Sequence, residues 1–589
     1  MSDKQILRIL DDLSPSEIKL RDLPRKAESL YNMSFNEYGQ LVKRKGFAKY
    51  NTATIGADHK ITGMHRYYKQ DASTKKFLVA WNTKWYELAA TTPWGATALL
   101  SKAATDFTTT ADMDTHWVNF KDRCYGVNSQ GVWKYNGTYV RTVGITVPGA
   151  PTFNARIDGS LTVGTYYFKY TFVDEDGFES NGGTASAAMT AEATPNDGIT
   201  INIAASTDDK VTKRRIYRTE ADNTAYYYDG EVADNTTLTY NSTISDAELI
   251  VRTALHTDHT TPTLTAHLIT SRRSRLVLAQ AENIFLSKLI SSEYEYFPST
   301  LYFPTGNRQK ITGLKEQLVT LPAFTDDSLE RLTGFDSNNF QLMNTFSNEG
   351  CMSIRSLANC KNLLVYLGYD GIYYFDGEAG KKLDKKLSRY VMDNMNYTYI
   401  NLSCGTFYKD VYYLTYPKGA STVPNETVYF DFDTKTSGVF NLGFSCYSVW
   451  DKGGDTYSLK GGSNTEGRVY SVFDGLDDDG SAITCYDDVQ GIDLGIPDIY
   501  KKWYSMYIKV KTTTGTAMRL YYTLDDEAET YVDAQALTAD TTDWYEIGLG
   551  SAGLRARSFA FRPYISDKYD AEIQGYALVY SLEPAKWAK

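Results

Sequence analysis

The stretch Asp370-Gly-Ile-Tyr-Tyr-Phe-Asp376-Gly377 decides how the rest of the chain is read. One Asp-Gly pair opens it, an aromatic-rich strand fills it and a second Asp-Gly closes it. Asp and Gly both tolerate positive φ and so suit tight hairpins, while Ile, Tyr and Phe suit a pleated, half-buried surface. Related units recur: Gly131-Val-Trp-Lys-Tyr135 runs into Asn136-Gly137, and Asp410-Val-Tyr-Tyr-Leu-Thr415 opens on an aspartate. Across these units Asp, Asn and Gly form the turns and the aromatics fill the space between sheets. Short paired strands joined by tight turns and repeated along a chain are what propeller blades require.

Outward from this unit, Arg275–Ala279, Asn283–Ser287, Leu363–Leu367, Thr427–Phe432 and Gly467–Ser471 supply further strands, and Phe77–Trp81 with Trp85–Leu88 does so earlier. The count is six to eight blades. The pattern is interrupted after the stiff linker Val147-Pro-Gly-Ala-Pro151. There Thr165–Val173 runs into the turn Asp174-Glu-Asp-Gly177, and Ile199–Ile203 and Lys213–Arg218 follow. About seven short strands without cysteines fit a fibronectin type III-like sandwich inserted between blades. After the polar run Asp477-Asp-Asp-Gly480, the strands Met506–Val510, Met518–Thr523 and Arg557–Arg562 indicate a second sandwich. Near the start, Ile6, Leu7, Leu10 and Leu13 stand at helical spacing and predict a short amphipathic helix.

The expected organisation is all-β. Residues 1–24 form a helix and arm, 25–146 the first part of a β-propeller, and 147–258 the inserted sandwich. Residues 259–484 form the remainder of the propeller and 485–589 a C-terminal β-sandwich.

Composition agrees with that class. The 589 residues suffice for several cores, and 47 Tyr with 25 Phe against only 15 Pro favour strands. A net charge of −11 argues against a protein that grips nucleic acid by neutralising phosphates. It is compatible with one that encloses DNA without holding it. The six cysteines are widely spaced with no Cys-x-x-Cys pair, which reads as buried free thiols made in a reducing cytoplasm. Charges between Met1 and Asp12 occupy the place of a signal-peptide core, and no run of about 18 apolar residues predicts a membrane span.

Candidate chemistry is sparse. His256, His259 and His267 form a His-x-x-His with a third histidine beyond it, but HExxH is absent and the loop composition reads as a polar linker. His116, beside Trp117, reads as a strand-edge residue. Asp174/Asp176 and Asp477/Asp478/Asp479 precede glycines without the full calcium-loop pattern. Asp326/Asp327 offer a carboxylate pair, yet Asp-Asp-Ser before Leu-Glu-Arg-Leu equally reads as a helix N-terminus. No phosphate loop or Gly-x-Ser-x-Gly elbow is present. The basic runs Lys43-Arg-Lys45 and Lys213-Arg-Arg215 with Arg218 read as solvated faces or subunit contacts. No catalytic residue, metal or cofactor is expected.

A layout nevertheless emerges. Asn32 is followed by a Gly-x-Leu-x-Lys-Arg-x-Gly element (Gly39, Leu41, Lys43, Arg44, Gly46), then blades, a fibronectin-like insertion and a terminal sandwich. Tyr170–Asn181, Arg214–Arg218, Ser287 and Ser292–Phe297 add local likeness. This resembles the tail nozzle, or packaged-DNA-stabilisation, proteins of bacteriophages, particularly short-tailed ones. The resemblance implies a non-enzymatic virion protein in the tail, synthesised in the host cytoplasm. It further implies a homo-oligomer, a hexamer by the family's habit, ringed below the head-to-tail adaptor beside other tail proteins. Double-stranded DNA would be retained and then pass through without sequence recognition. Two other function classes stand beside it: a host-receptor or glycan-binding tail protein, and a virion-associated glycan-degrading enzyme.

Overall fold

The computed structural model describes residues 4–10, 18–50, 53–71, 74–88, 97–98, 114–262, 265–289, 293–451, 457–514, 516–525 and 527–583. In it the Asp370–Gly377 stretch supplies the third strand and both flanking turns of a four-stranded antiparallel sheet. The four strands are Ala358–Cys360, Leu363–Gly368, Gly371–Phe375 and Gly380–Lys382. Six further four-stranded units of the same up-and-down form lie among the described residues, beginning at Ile61, His116, Leu268, Gly313, Cys404 and Tyr447. They are the blades of a seven-bladed β-propeller, numbered 1 to 7 in chain order, with the Asp370 unit in blade 5.

What makes the ring is a hydrophobic layer between each blade and the next. Tyr67 and Trp85 of blade 1 pack on Trp133 and Tyr135 of blade 2, and Val365 and Leu367 of blade 5 on Tyr412 and Leu414 of blade 6. Blades 7 and 1 close the circle through Trp450 and Val469 against Ile61 and Phe77. The outermost strand of blade 7 is Phe47–Lys49, from the other end of the chain, paired with Val469–Val472. This closure covers an edge that would otherwise present unpaired backbone.

The turns differ from expectation. In the two turns of the Asp370–Gly377 stretch the positive angles belong to Gly371 (φ 149°) and Gly377 (φ 104°), and the aspartates act through their carboxylates. Asp376 Oδ1 accepts from the backbone N–H of Glu378 (3.0 Å) and Ala379 (3.3 Å). A Cβ on Gly371 would come within 2.7 Å of Ser388, so only glycine fits there. The primed two-residue hairpins, with both φ positive, are instead Lys121-Asp122, Arg273-Ser274 and Lys409-Asp410, each between the first and second strands of a blade.

The insertion sits between blades 2 and 3. Its eight strands, from Thr152–Ile157 to Thr239–Ser242, enclose one core containing Tyr166, Phe168, Ile199, Ile201 and Ile216. Beyond blade 7 two larger sheets face each other across Met506, Ile508 and Leu578 on one side and Met518, Phe561 and Ile565 on the other. One of these sheets is continuous with the propeller. Tyr31 pairs with Val439 of blade 6 and with Tyr486, so nine strands run from Cys404–Tyr408 to Thr530–Ala536, and Val489–Ile492 joins beside them as the tenth of the sheet.

Three expectations need correction. The N-terminal helix is a strand, Gln5–Leu10, antiparallel to Ala571–Leu582. Ile9 is buried while Ile6 is 59% exposed, an alternation that suits pairing. A lone short helix is marginal in water, whereas this edge offers a full backbone ladder; Leu13 lies outside the described residues. Second, residues 30–43 do not begin the propeller. Leu30–Tyr31, Met33–Phe35 and Leu41–Lys43 belong to the two C-terminal sheets. Third, a helix not anticipated, Lys385–Asn394, links blades 5 and 6, capped by Asp384 Oδ1 accepting from Leu387 N at 2.8 Å.

Candidate functional site

Polar side chains converge at two central places, the propeller axis and the joint where the propeller meets the C-terminal sandwich. The axis comes first. Inner strands and the segment leading into blade 5 surround a cavity of about 450 Å³. Arg355 bridges it: Nη2 donates to the carbonyl of Thr62 and to Asp114 Oδ1 (2.8 Å), and Nη1 to the Ser445 carbonyl (3.4 Å). Burial would raise the Asp114 pKa, but Arg355 and Lys60 outweigh it and hold the carboxyl below its ordinary value. His65 Nε2 donates to Asn119 Oδ1 (2.9 Å), whose amide donates in turn to the Arg66 carbonyl (2.7 Å).

His116 is a strand-edge residue, the first of the edge strand of blade 2, but that edge is the inner one and the ring lines the cavity. Burial pushes the His65 imidazole down to about 4, and burial followed by the charge of Arg355 does the same to His116. Both rings are neutral at physiological pH. Their ring-proton NMR shifts are expected to stay flat from pH 8 to 5 and to titrate near 4; a midpoint above 6 would contradict this environment. The cavity suits a small molecule in size. It does not admit a DNA duplex, whose major groove alone is about 12 Å wide.

The second place gathers the Asn32–Gly46 element. Asn32 is buried and holds φ 53°, a left-handed angle that Asn tolerates better than most side chains. Its Oδ1 accepts from Arg44 Nε (2.7 Å) and from the Asn441 N–H (2.8 Å), and its Nδ2 donates to the Thr484 carbonyl (2.7 Å). Arg44 forms a bidentate pair with Asp478, at 2.8 and 2.6 Å. Lys43 Nζ donates to the carbonyls of Asp567 (2.5 Å) and Tyr569 (2.8 Å), while Leu41 is fully buried in the sandwich core. Gly39 (φ 76°) turns the hairpin, and Gly46 lies so close to Asp477 that a Cβ would fall 1.7 Å from its carbonyl oxygen.

These contacts correct one expectation and refine two others. Lys43 and Arg44 point inward as ties between blades 6 and 7 and the terminal sandwich, not outward as a solvated basic run. In the Asp477–Asp479 group, which lacks the full calcium-loop pattern, Asp478 holds Arg44, Asp479 holds Lys49 (2.9 Å) and Asp477 Oδ1 accepts from Gly480 N (2.8 Å). The basic strand of the insertion divides its charges: Arg214 and Arg218 are wholly buried, with Arg218 on Asp246 at 2.7 Å, while Lys213 is exposed and Arg215 half-buried.

The Asp174-Glu-Asp-Gly177 turn is a tie between domains. Lys134 of blade 2 is 4% exposed and meets Asp174 (3.0 Å), Asp176 (2.9 Å) and Glu295 (3.0 Å), and Arg123 adds a second cation to Asp176 (2.6 Å). Asp326 and Asp327 cap no helix. They make the turn between two strands of blade 4, where Asp327 Oδ1 accepts from Asn307 Nδ2 (3.0 Å). Of the three linker histidines, His267 goes elsewhere, with Nε2 on the Ile311 carbonyl (2.7 Å), whereas His256 and His259 stack at 4.6 Å beside Glu293. No spacing rule finds Glu293 from the histidines, because the fold alone brings it there.

No protein-family model and no curated protein sequence matches the chain. Solved structures are similar at low identity. The WD40 domain of Neurospora crassa Pan2 shares 9% identity over 76% of this chain and 98% of its own, with a TM-score of 0.28. Apo AztD from Citrobacter koseri shares 8% over 66% and 99%, also at 0.28. An exo-β-1,3-galactanase from Phanerochaete chrysosporium shares 7% over 82% and 99%, at 0.17. At these scores the likenesses carry no argument about activity, and the propeller is established by the chain's own sheet topology.

Proposed function

We propose that the chain is a structural protein of a bacteriophage tail, a nozzle or hub subunit. It assembles with copies of itself into a closed ring below the head-to-tail adaptor, retaining packaged DNA and conducting it at ejection. The observation that carries this reading is the continuous ten-stranded sheet from blade 6 into the terminal sandwich, locked by Asn32, Arg44 and Asp478. A joint made of sheet hydrogen bonds and buried ion pairs transmits force without hinging, which the wall of a pressurised tube needs. The conduit would run between copies, since the axial cavity is too narrow, and a net charge of −11 keeps a sliding duplex from binding tightly.

Neighbouring copies have edges to meet on. Thr530–Ala536 ends one terminal sheet and Thr542–Gly548 the other, with Tyr531 (60%) and Trp544 (42%) exposed on them. Native mass spectrometry and negative-stain microscopy are expected to find a closed ring. Tyr531→Lys with Trp544→Glu is expected to shift it towards monomer at an unchanged melting temperature. A wild-type monomer that binds host envelopes would overturn this reading in favour of the receptor-binding alternative. Cleavage of a glycan, lost on substituting Asp326 or Asp327, would favour the enzyme.

A further inference from the structure

We propose a divalent-metal site, of zinc type, formed by His256, His259 and Glu293, which clips the returning linker of the inserted sandwich to the loop between the third and fourth strands of blade 3. The three ligand atoms lie within 4.8 Å of one another. His259 Nε2 is 3.6 Å and His256 Nε2 3.8 Å from the same oxygen, Glu293 Oε1. Both distances are too long for hydrogen bonds. They are close to the ~3.3 Å that separates two ligands of one tetrahedral ion with bonds of about 2.0–2.1 Å.

The second observation is the state of His259. Its side chain is 3% exposed, and its Nδ1 donates to the Glu179 carbonyl at 2.9 Å. That hydrogen bond fixes the proton on Nδ1 and leaves Nε2 a bare lone pair. Nε2 is buried without a hydrogen-bond partner and is aimed at the cluster. A backbone acceptor on the far ring nitrogen is the arrangement that orients metal-bound histidines. The ring is further held by stacking on Tyr296, at 4.0 Å and 6° between planes.

Two imidazoles and one carboxylate suit zinc and leave a fourth position for water on the side of His256, which is 38% exposed. One group opposes the ion. Lys288 Nζ sits 2.5 Å from Glu293 Oε2 and 2.8 Å from Asp258 Oδ1, holding a positive charge beside the site. Lys288 and the metal thus compete for Glu293, and Lys288 sets the affinity.

Metal-stripped full-length protein titrated with zinc chloride by calorimetry is expected to bind one equivalent per chain. Cobalt(II) in its place is expected to give the intense visible bands of a tetrahedral site. His256→Ala and Glu293→Gln are each expected to weaken binding at least 100-fold, and Lys288→Met to tighten it about 10-fold. His256 is solvent-exposed on one side, so its variant keeps the test valid if His259→Ala misfolds. Absence of binding at millimolar zinc, or binding that His256→Ala and Glu293→Gln leave unchanged, overturns the site.

Discussion

Lys134→Ala is expected to lower stability by about 3–5 kcal/mol, the cost of stripping the counter-charge from buried acids. The variant would leave Asp174, Asp176 and Glu295 facing one another, with Arg123 compensating only Asp176. Burial alone would push the Lys134 pKa down, but Glu295, Asp174 and Asp176 outweigh it and hold the ammonium above its ordinary value. Burial raises Glu295 even with Lys134 present. Without the lysine Glu295 should rise further, and Asp176 should lose part of what holds its pKa low.

The pH dependence then has a definite sign. A carboxyl whose folded pKa exceeds its unfolded one binds protons more tightly when folded, so stability grows as pH falls through the folded value. The deficit of Lys134→Ala should therefore be largest at pH 7–8 and shrink towards pH 5. In the wild type Asp176 works the other way: although burial opposes it, Lys134 and Arg123 hold its pKa low. Its contribution is present above the ordinary carboxylate range and lost as pH falls below it. Thermal melts across pH, with hydrogen exchange at residues 174–178 and 293–297, read both effects. A loss under about 1 kcal/mol, or one independent of pH, would mean that water already screens the cluster.

Gly46→Ala is the second large effect, about 3 kcal/mol or more, because the new methyl meets backbone instead of a side chain that could rotate away. Its Cβ would stand 1.7 Å from the carbonyl oxygen and 2.4 Å from the carbonyl carbon of Asp477. Relief requires parting the two segments. That breaks Gly46 N to Gly475 O (3.1 Å), Phe47 N to Asp477 O (3.1 Å) and Asp474 N to Gly46 O (3.0 Å), and disturbs the Arg44–Asp478 pair. The strand that closes blade 7 starts at Phe47, so the ring should open there first. Limited proteolysis is expected to cut near residues 44–50 in the variant and not in the wild type. Arg44→Lys, which keeps the charge but loses the bidentate fork, should show the same cleavage more weakly. Wild-type resistance in both variants would mean that the closure does not depend on this joint.

Much of the fold could be read from residues alone. The Asp370–Gly377 pattern and its relatives identify blade strands, since an aromatic, β-branched run between turn residues satisfies only a pleated sheet. The linker at Val147–Pro151 and the alternation after it mark the insertion. The turn chemistry was only half legible: Asp376 caps as a turn aspartate should, yet Lys121-Asp122 and Lys409-Asp410 take left-handed angles that no glycine advertises. The helix Lys385–Asn394 carried a signal in its Asp384 cap and in Leu387 and Val391 one turn apart. Gln5–Leu10 misled because its apolar spacing fits a helix, while its partner stands at the far end of the chain.

By itself, then, the sequence determined what is local: strand against turn, and the class of sheet that repeated aromatic strands must build. Only the tertiary structure decided which charges are buried and what they hold. Arg44 and Asp478 are 434 residues apart, and Lys134 meets Glu295 across 161. A lysine in a strand looks the same whether it faces water or three carboxylates. Its environment is set by which distant segment the hydrophobic layers press against it, and that information is a property of the whole packed chain.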